Sequence, residues 1–368
     1  MATPTIRRSD DLTVRRPDGP TVRRSAPGLP GAVSDAIRTL RLPLLAGPLL
    51  VHACLNPAHS TLQFVLARIL GDIAVPAFFF ISGILYFASF DGTARCWLRK
   101  LANRVRSLAV PYLLWNLIGF FLLAYAVPMV AKGDFLRSFW AVRVAYRPIA
   151  SAPVDGPLYF IKGLYFLAIG APALYFALRR RFLAWLAPAV LLFWVVSPLA
   201  ALEGRMAVIA LAFFSCGGYL AIYRPAAFER IATSRRAALA AVAVFLAVSA
   251  LNLGLHLANV GSPALLRANI VAGIPFCFAV AEALGDGWTA RLLRRSQGFA
   301  MFLFCSFDLI MVYMRRVWRP LRDGSDATCL RVAAMTFAVS LALYLTLALA
   351  ARPLLRILTG DRALAHRP

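Results

Sequence analysis

The chain predicts an all-α fold, a polytopic membrane helix bundle with about ten transmembrane helices, from its composition, its apolar runs and the absence of a strand pattern. Of its 368 residues 61% are hydrophobic, mean hydropathy is +0.72, and the formal net charge is nevertheless +24. A water-soluble domain does not tolerate that combination. About ten apolar stretches approach or exceed the roughly 20 residues that cross ~30 Å of hydrocarbon at ~1.5 Å per residue. They begin near residues 42, 70, 108, 157, 182, 206, 237, 266, 298 and 332. Each must be helical, because backbone in lipid has no water to satisfy its polar groups and the alternation of a barrel strand is absent.

Charge placement predicts orientation, since short basic loops stay in the cytoplasm. With the N-terminus inside, the inner loops carry Arg95 to Arg106, Arg179 to Arg181, Arg224 to Arg236, and Arg291 to Arg295. The outer loops at Asn56 to Gly71, Glu203 to Arg205 and Ala258 to Leu265 are nearly free of positive charge, and the one from Lys132 to Gly156 is mixed. One outer loop breaks the rule with Arg315, Arg316, Arg319, Arg322 and Arg331, so it is a re-entrant or functional surface, or one helix is miscounted. The expected protein is a multi-pass membrane protein with both termini cytoplasmic.

Three regions follow. Residues 1–37 form a basic tail in which TIRRSDDL, TVRRPDGP and TVRRSAPG recur at period eight; this composition cannot bury apolar surface and reads as disordered, lying against anionic lipid. Its twin arginines are a weak translocation signal, because no apolar core follows closely. Residues 38–355 hold the membrane domain, and 356–368 a cytoplasmic C-terminal tail. The six cysteines do not form a disulfide framework, and neither they nor the four histidines show metal-ligand spacing, so no metal is expected.

Within the first apolar segment (LPLLAGPLLVHACLNPA, Leu42 to Ala58), Arg41 is followed by ten residues and then His52. An imidazole inside a membrane segment is costly to place and is a functional-site candidate by default. Read singly, Arg41 and the loop from Arg95 to Arg106 are topogenic charges and His52 is a hydrogen-bonded packing residue. Asp308, mid-helix in CSFDLIM, needs a partner, and two are open: Arg315 further along the same helix, or His52.

Taken together, Arg41 and His52, the run VPAFFFISGILYF (Val75 to Phe87) and the basic stretch RKLANRVRSLAVPYLLW (Arg99 to Trp115) resemble acyltransferase family 3. These are bacterial integral-membrane proteins that move acyl groups, often acetyl, onto sugars of surface or exported polysaccharides. The segment PLYFIKGLYFLAIGAP (Pro157 to Pro172) is similar to a further helix of the family, with Tyr159 in place of Trp. Two departures stand out: Ile37, Arg38 and Thr39 replace an acidic residue often found before the family's arginine, and Cys305 stands where a late-helix histidine is often seen.

The resemblance implies a membrane O-acyltransferase with His52 and Arg41 as catalytic residues and acetyl-coenzyme A, or another acyl-coenzyme A, as donor. The residue chemistry agrees. Acyl transfer from a thioester to a sugar hydroxyl needs a base near neutral pH, which imidazole supplies. Coenzyme phosphates need cations, and Arg99, Lys100, Arg104 and Arg106 lie in an inner loop. The expected partners are acyl-coenzyme A, a polysaccharide or lipid-linked glycan acceptor and membrane lipids, with no nucleic acid. Ser82 and Gly83 read as a small-residue packing notch. Trp140, Tyr146 and Tyr159 are candidate stacking surfaces for a glycan ring. The alternative is a secondary transporter or export component in which His52 and Asp308 relay protons, although no internal symmetry supports it.

Overall fold

A computed structural model describes residues 31–126, 155–197, 206–223 and 234–360, and among them every regular element is helical. The twelve helices are α1 (Gly31–Ala53), α2 (Thr61–Phe87), α3 (Ala94–Leu122), α4 (Gly156–Arg179), α5 (Arg181–Val196), α6 (Met206–Tyr223), α7 (Arg235–Leu257), α8 (Pro263–Leu284), α9 (Trp288–Arg295), α10 (Gln297–Val317), α11 (Asp326–Ala350) and α12 (Arg352–Leu358). Eight of them, α2, α3, α4, α6, α7, α8, α10 and α11, are long and apolar enough to cross a membrane. The shorter α5 and the proline-interrupted α1 account for the other two predicted spans. The protein is a multi-pass helical bundle.

Helix α1 is the hub, in contact with α2, α8, α9, α10 and α11. Its buried residues Val33, Ile37, Leu40, Leu44 and Leu49 recur at helical spacing and face these neighbours. Pro43 and Pro48 lie inside the helix and deprive the carbonyls of Thr39 and Leu44 of their usual donors. Beside it, α10 has 67% of its most apolar window buried, against 11% for α7 and 17% for α11. Most of α10 is therefore packed inside protein, whereas most of α7 and α11 lies on the outside of the bundle.

Small residues set the distances between the central helices. Where α2 crosses α6, a Cβ on Gly83 would stand 2.1 Å from the Phe214 carbonyl oxygen, and a Cβ on Gly217 would stand 2.1 Å from that of Phe80. The two backbones touch there, so the Gly of FFFISG is a packing residue, as expected of a small-residue notch. Along α2 the regular helix gives way to a wider turn over Val65–Leu70 and a tighter one over Gly71–Ile73. Gly71 approaches α1 within this irregular stretch, opposite Gly47. Departures of this kind inside a membrane helix are tolerated where protein surrounds them, and they often mark functional sites.

The ends of the bundle correct the expected regional boundaries. Residues 31–37 belong to α1, with Val33 and Ile37 buried, and are not part of a disordered tail. At the other end, α12 and the following turn are packed: Leu358 and Thr359 are buried, and the Leu358 carbonyl accepts a bond from Trp115 Nε1 at 3.1 Å. A tail that starts at 356 would cut this helix. The octapeptide repeat, Trp140 and Tyr146 lie outside the described residues.

Gly83→Ala is expected to force α2 and α6 apart and to destabilise the bundle by about 1–3 kcal/mol, the usual range for an overpacked core. A thermal unfolding midpoint in detergent, compared with wild type, measures this.

Candidate functional site

Two cavities lie along α1, one beside each end of its Arg41 to His52 stretch. The first, of about 340 Å³, is bordered by Arg41, Ser82, Tyr86, Lys100, Arg104 and Gln297. Its cations come from two helices. Arg41 Nη1 donates to Gln297 Oε1 at 2.5 Å, which anchors α1 to the start of α10. Lys100 and Arg104, one turn apart on α3, both stand over the Tyr86 ring, at 5.0 and 5.4 Å from its centroid. Cation–π contact holds them without neutralising them. Lys100 Nζ also donates to Ser89 Oγ at 2.7 Å, and the buried Tyr86 hydroxyl has no hydrogen-bond partner. The first cavity thus brings together three positive charges, a set suited to phosphate.

Arg99 and Arg106, grouped with these cations in the sequence, are exposed on α3 and do not line the cavity. The helical period decides this, since Lys100 and Arg104 are four residues apart and share a face that Arg99 and Arg106 do not.

His52 lines a second cavity, of about 510 Å³, with Arg68, Asp72, Tyr159, Trp194 and Arg267. It stands near the end of α1, about 16 Å from Arg41 along the helix at ~1.5 Å per residue. Arg41 and His52 therefore serve different cavities. His52 Nδ1 lies 3.0 Å from Asp308 Oδ1, with the imidazole 38% and the carboxylate 18% exposed. The Phe307 ring meets the imidazole edge-on, with centroids 5.4 Å apart. A carboxylate on Nδ1 fixes that nitrogen as the donor and leaves Nε2 as the acceptor. The base is accessible, and the group that would stabilise its imidazolium is sheltered.

Asp308 thus pairs with His52, one of its two open partners. Arg315, the other, holds the same helix end: Nη1 donates to the His52 carbonyl at 3.0 Å and Nη2 to the Ala53 carbonyl at 2.7 Å. Arg322 in turn donates from Nε to the Arg315 carbonyl and from Nη2 to the Arg316 carbonyl, the latter at 2.7 Å. Two arginines of the loop expected to lie outside are therefore helix caps, which explains part of its charge without a miscounted helix. Ser82 borders the first cavity with no base placed on it.

Sequence reasoning missed Tyr86, Gln297 and Asp155. Tyr86 lies inside the FFFISG helix, one turn after Ser82, so the motif itself pointed to it. Gln297 carries no signal. Asp155 is fully buried just before α4, and among the described residues neither of its carboxylate oxygens has a hydrogen-bond partner. Burial first, and the neighbouring Asp308 charge second, hold its carboxyl well above the usual carboxylate range.

Comparison with known proteins identifies the family. A family model described as an acyltransferase domain matches residues 49–351, which include His52, Lys100, Arg104, Asp155 and Asp308 and leave Arg41 just outside. The succinoglycan biosynthesis protein ExoH of Rhizobium meliloti (strain 1021) is 28% identical over 371 residues, covering 91% of this chain and 94% of its own. No solved structure matches. With a family match across most of its length and a multi-pass helical fold built around the motif residues, the chain belongs to the acyltransferase 3 family and is an acyltransferase.

Proposed function

We propose that this acyltransferase takes an acyl group, acetyl foremost, from acyl-coenzyme A at the cytoplasmic face of a bacterial inner membrane. It transfers the group to a hydroxyl of a polysaccharide or lipid-linked oligosaccharide reached from the opposite face. The observation that carries this reading is the division of labour along α1. Three cations surround one cavity at the level of Arg41, and the His52–Asp308 pair stands about three turns further on, at the wall of a second. A donor with phosphates at one end and a thioester at the end of a long arm fits that separation. The similarity to a protein named for the biosynthesis of succinoglycan, a polysaccharide, supports the acceptor class. The transporter alternative gives way to family membership.

In the mechanism, Arg41, Lys100 and Arg104 hold the phosphates and the acyl arm runs along α1 towards His52. The acceptor hydroxyl gives its proton to His52 Nε2 while its oxygen bonds to the thioester carbon. The C–S bond then breaks, and the leaving thiolate takes the proton back from the imidazolium. Asp308 stabilises the positive charge between these two events, a contribution typical of an oriented general base. The second cavity, with Tyr159 and the Arg68–Asp72 pair at 3.3 Å, supplies the aromatic and polar groups that a sugar uses.

His52→Gln keeps hydrogen-bonding capacity and similar volume but removes the base, so acylation of the exported glycan should fall by about 10²-fold or more at equal protein level. Wild-type acylation in that variant, read by chemical analysis of the glycan, would end the mechanism.

Neutralising Lys100 and Arg104 together to Gln should weaken binding of acyl-coenzyme A at least about tenfold, as expected when two cations leave a phosphate site, while membrane insertion is retained. Calorimetric titration of the purified protein measures it.

The proposed orientation makes a reporter fused after Arg181 cytoplasmic and one fused after Gly156 external. An external reporter after Arg181 would reverse the assignment of donor and acceptor faces.

A further inference from the structure

The turn that leads into α4 lies beside the carboxylate that holds His52. Gly156 has no side chain, and a Cβ there would stand 3.6 Å from Asp308 Oδ2. The other oxygen, Oδ1, is the one engaged by His52 Nδ1. Asp155, the preceding residue, is 0% exposed, and among the described residues both its oxygens lack a hydrogen-bond partner. Its backbone N–H reaches Asn116 Oδ1 on α3 at 3.5 Å, and Pro157 follows at the helix start, so the turn is held on both sides.

Two carboxylates that share a buried site do not both ionise. The surrounding charges decide which one keeps its proton. Asp308 has His52 from α1 at 3.0 Å and Arg315 from its own helix nearby, and its carboxylate keeps 18% exposure. Among the described residues Asp155 has Asp308 as its charged neighbour, and Asn116 on α3 and Tyr159 on α4 bring it no charge. Ionised, it would be a buried anion facing a second anion. Protonated, it gains the donor that a pair of carboxylates lacks.

We propose that Asp155 is a positioning residue held as a neutral acid, whose O–H donates to Asp308 Oδ2 and so turns Oδ1 to His52 Nδ1, leaving Nε2 as the base. This rests on the acyl-transfer reading for its consequence but not for its protonation state. The acid proton is not consumed in the reaction. It stays on Asp155 while the transferred proton passes between the acceptor hydroxyl, His52 and the leaving thiolate. One negative charge, not two, then faces the imidazolium, and its direction is fixed.

The primary test is infrared spectroscopy of the purified full-length protein at neutral pH, compared with Asp155→Asn. The carbonyl stretch of a protonated carboxylic acid, with its shift in D₂O, is expected in wild type and lost in Asp155→Asn. Wild-type and variant spectra that coincide in that region would overturn the proposal, whether or not the protein transfers acyl groups. Activity supplies the second readout. Asp155→Ala should lower kcat about tenfold with the KM for the donor unchanged, and Asp155→Asn should recover most of that loss because its amide replaces the O–H donor. The alkaline limb of the wild-type pH profile, where Asp155 ionises and its donor bond to Asp308 is lost, should be missing in Asp155→Asn. An Asn variant as impaired as the Ala variant, with that limb intact, would show that Asp155 works as an anion and would overturn the assignment. Should Asp155→Ala fail to fold, the infrared comparison and the pH profile of Asp155→Asn decide alone.

Discussion

A helix that ends inside a protein must hand its last carbonyls to a donor, and here that donor is Arg315. Its two Nη atoms hold the carbonyls of His52 and Ala53, the last two residues of α1. The guanidinium therefore fixes the backbone of the residue whose side chain is the candidate base. Asp308, two turns earlier on the same helix, fixes the ring. Backbone and imidazole of His52 are thus held from one element, α10, the most buried span of the bundle. A motion of α1 against α10 would disturb both contacts together.

The same logic accounts for the charge that defies the topology rule. The expected topology puts five arginines on a non-cytoplasmic loop, where cations are unfavourable for insertion. Two of the five in that loop are spent on carbonyls, Arg315 at the end of α1 and Arg322 at the end of α10. The loop is also tied down from the other side, where Gln63 donates to the Gly324 carbonyl and to Asp326, and Asn56 donates to the Gly324 carbonyl. Protein backbone, where lipid or water would otherwise stand, is what makes these cations structural.

Between the cavities, backbone contact replaces side chains. Gly47 of α1 meets Gly71 of α2, and Gly83 of α2 meets the α6 backbone. These crossings bring α2 close enough to border both cavities, with Ser82 and Tyr86 at the first and Asp72 and Val75 at the second. Pro43 and Pro48 interrupt α1 over the same stretch. The central helices are irregular where the bundle encloses space and regular where they face lipid, as α7 and α11 do, because unsatisfied backbone is tolerated only against protein or a polar cavity.

The amino-acid sequence by itself determined the helical membrane fold. All ten apolar runs are helices, because lipid leaves backbone no other choice, and hydrophobicity is a local property that a chain displays in order. The family motif was legible for the same reason, since Arg41, His52 and FFFISG lie within 43 residues of one another. Helical period would have separated Lys100 and Arg104 from Arg99 and Arg106, but only packing revealed which face looks inward. Tertiary structure alone decided the rest. His52 and Asp308 lie on helices far apart in the chain, and the two open partners of Asp308 could not be told apart until α1 and α10 were placed side by side. Asp155 carries no signal in the sequence, and only the packing of the turn before α4 makes it a buried carboxylate beside Asp308. A site built from long-range contacts leaves no local pattern, so sequence names the kinds of residue and packing chooses among them.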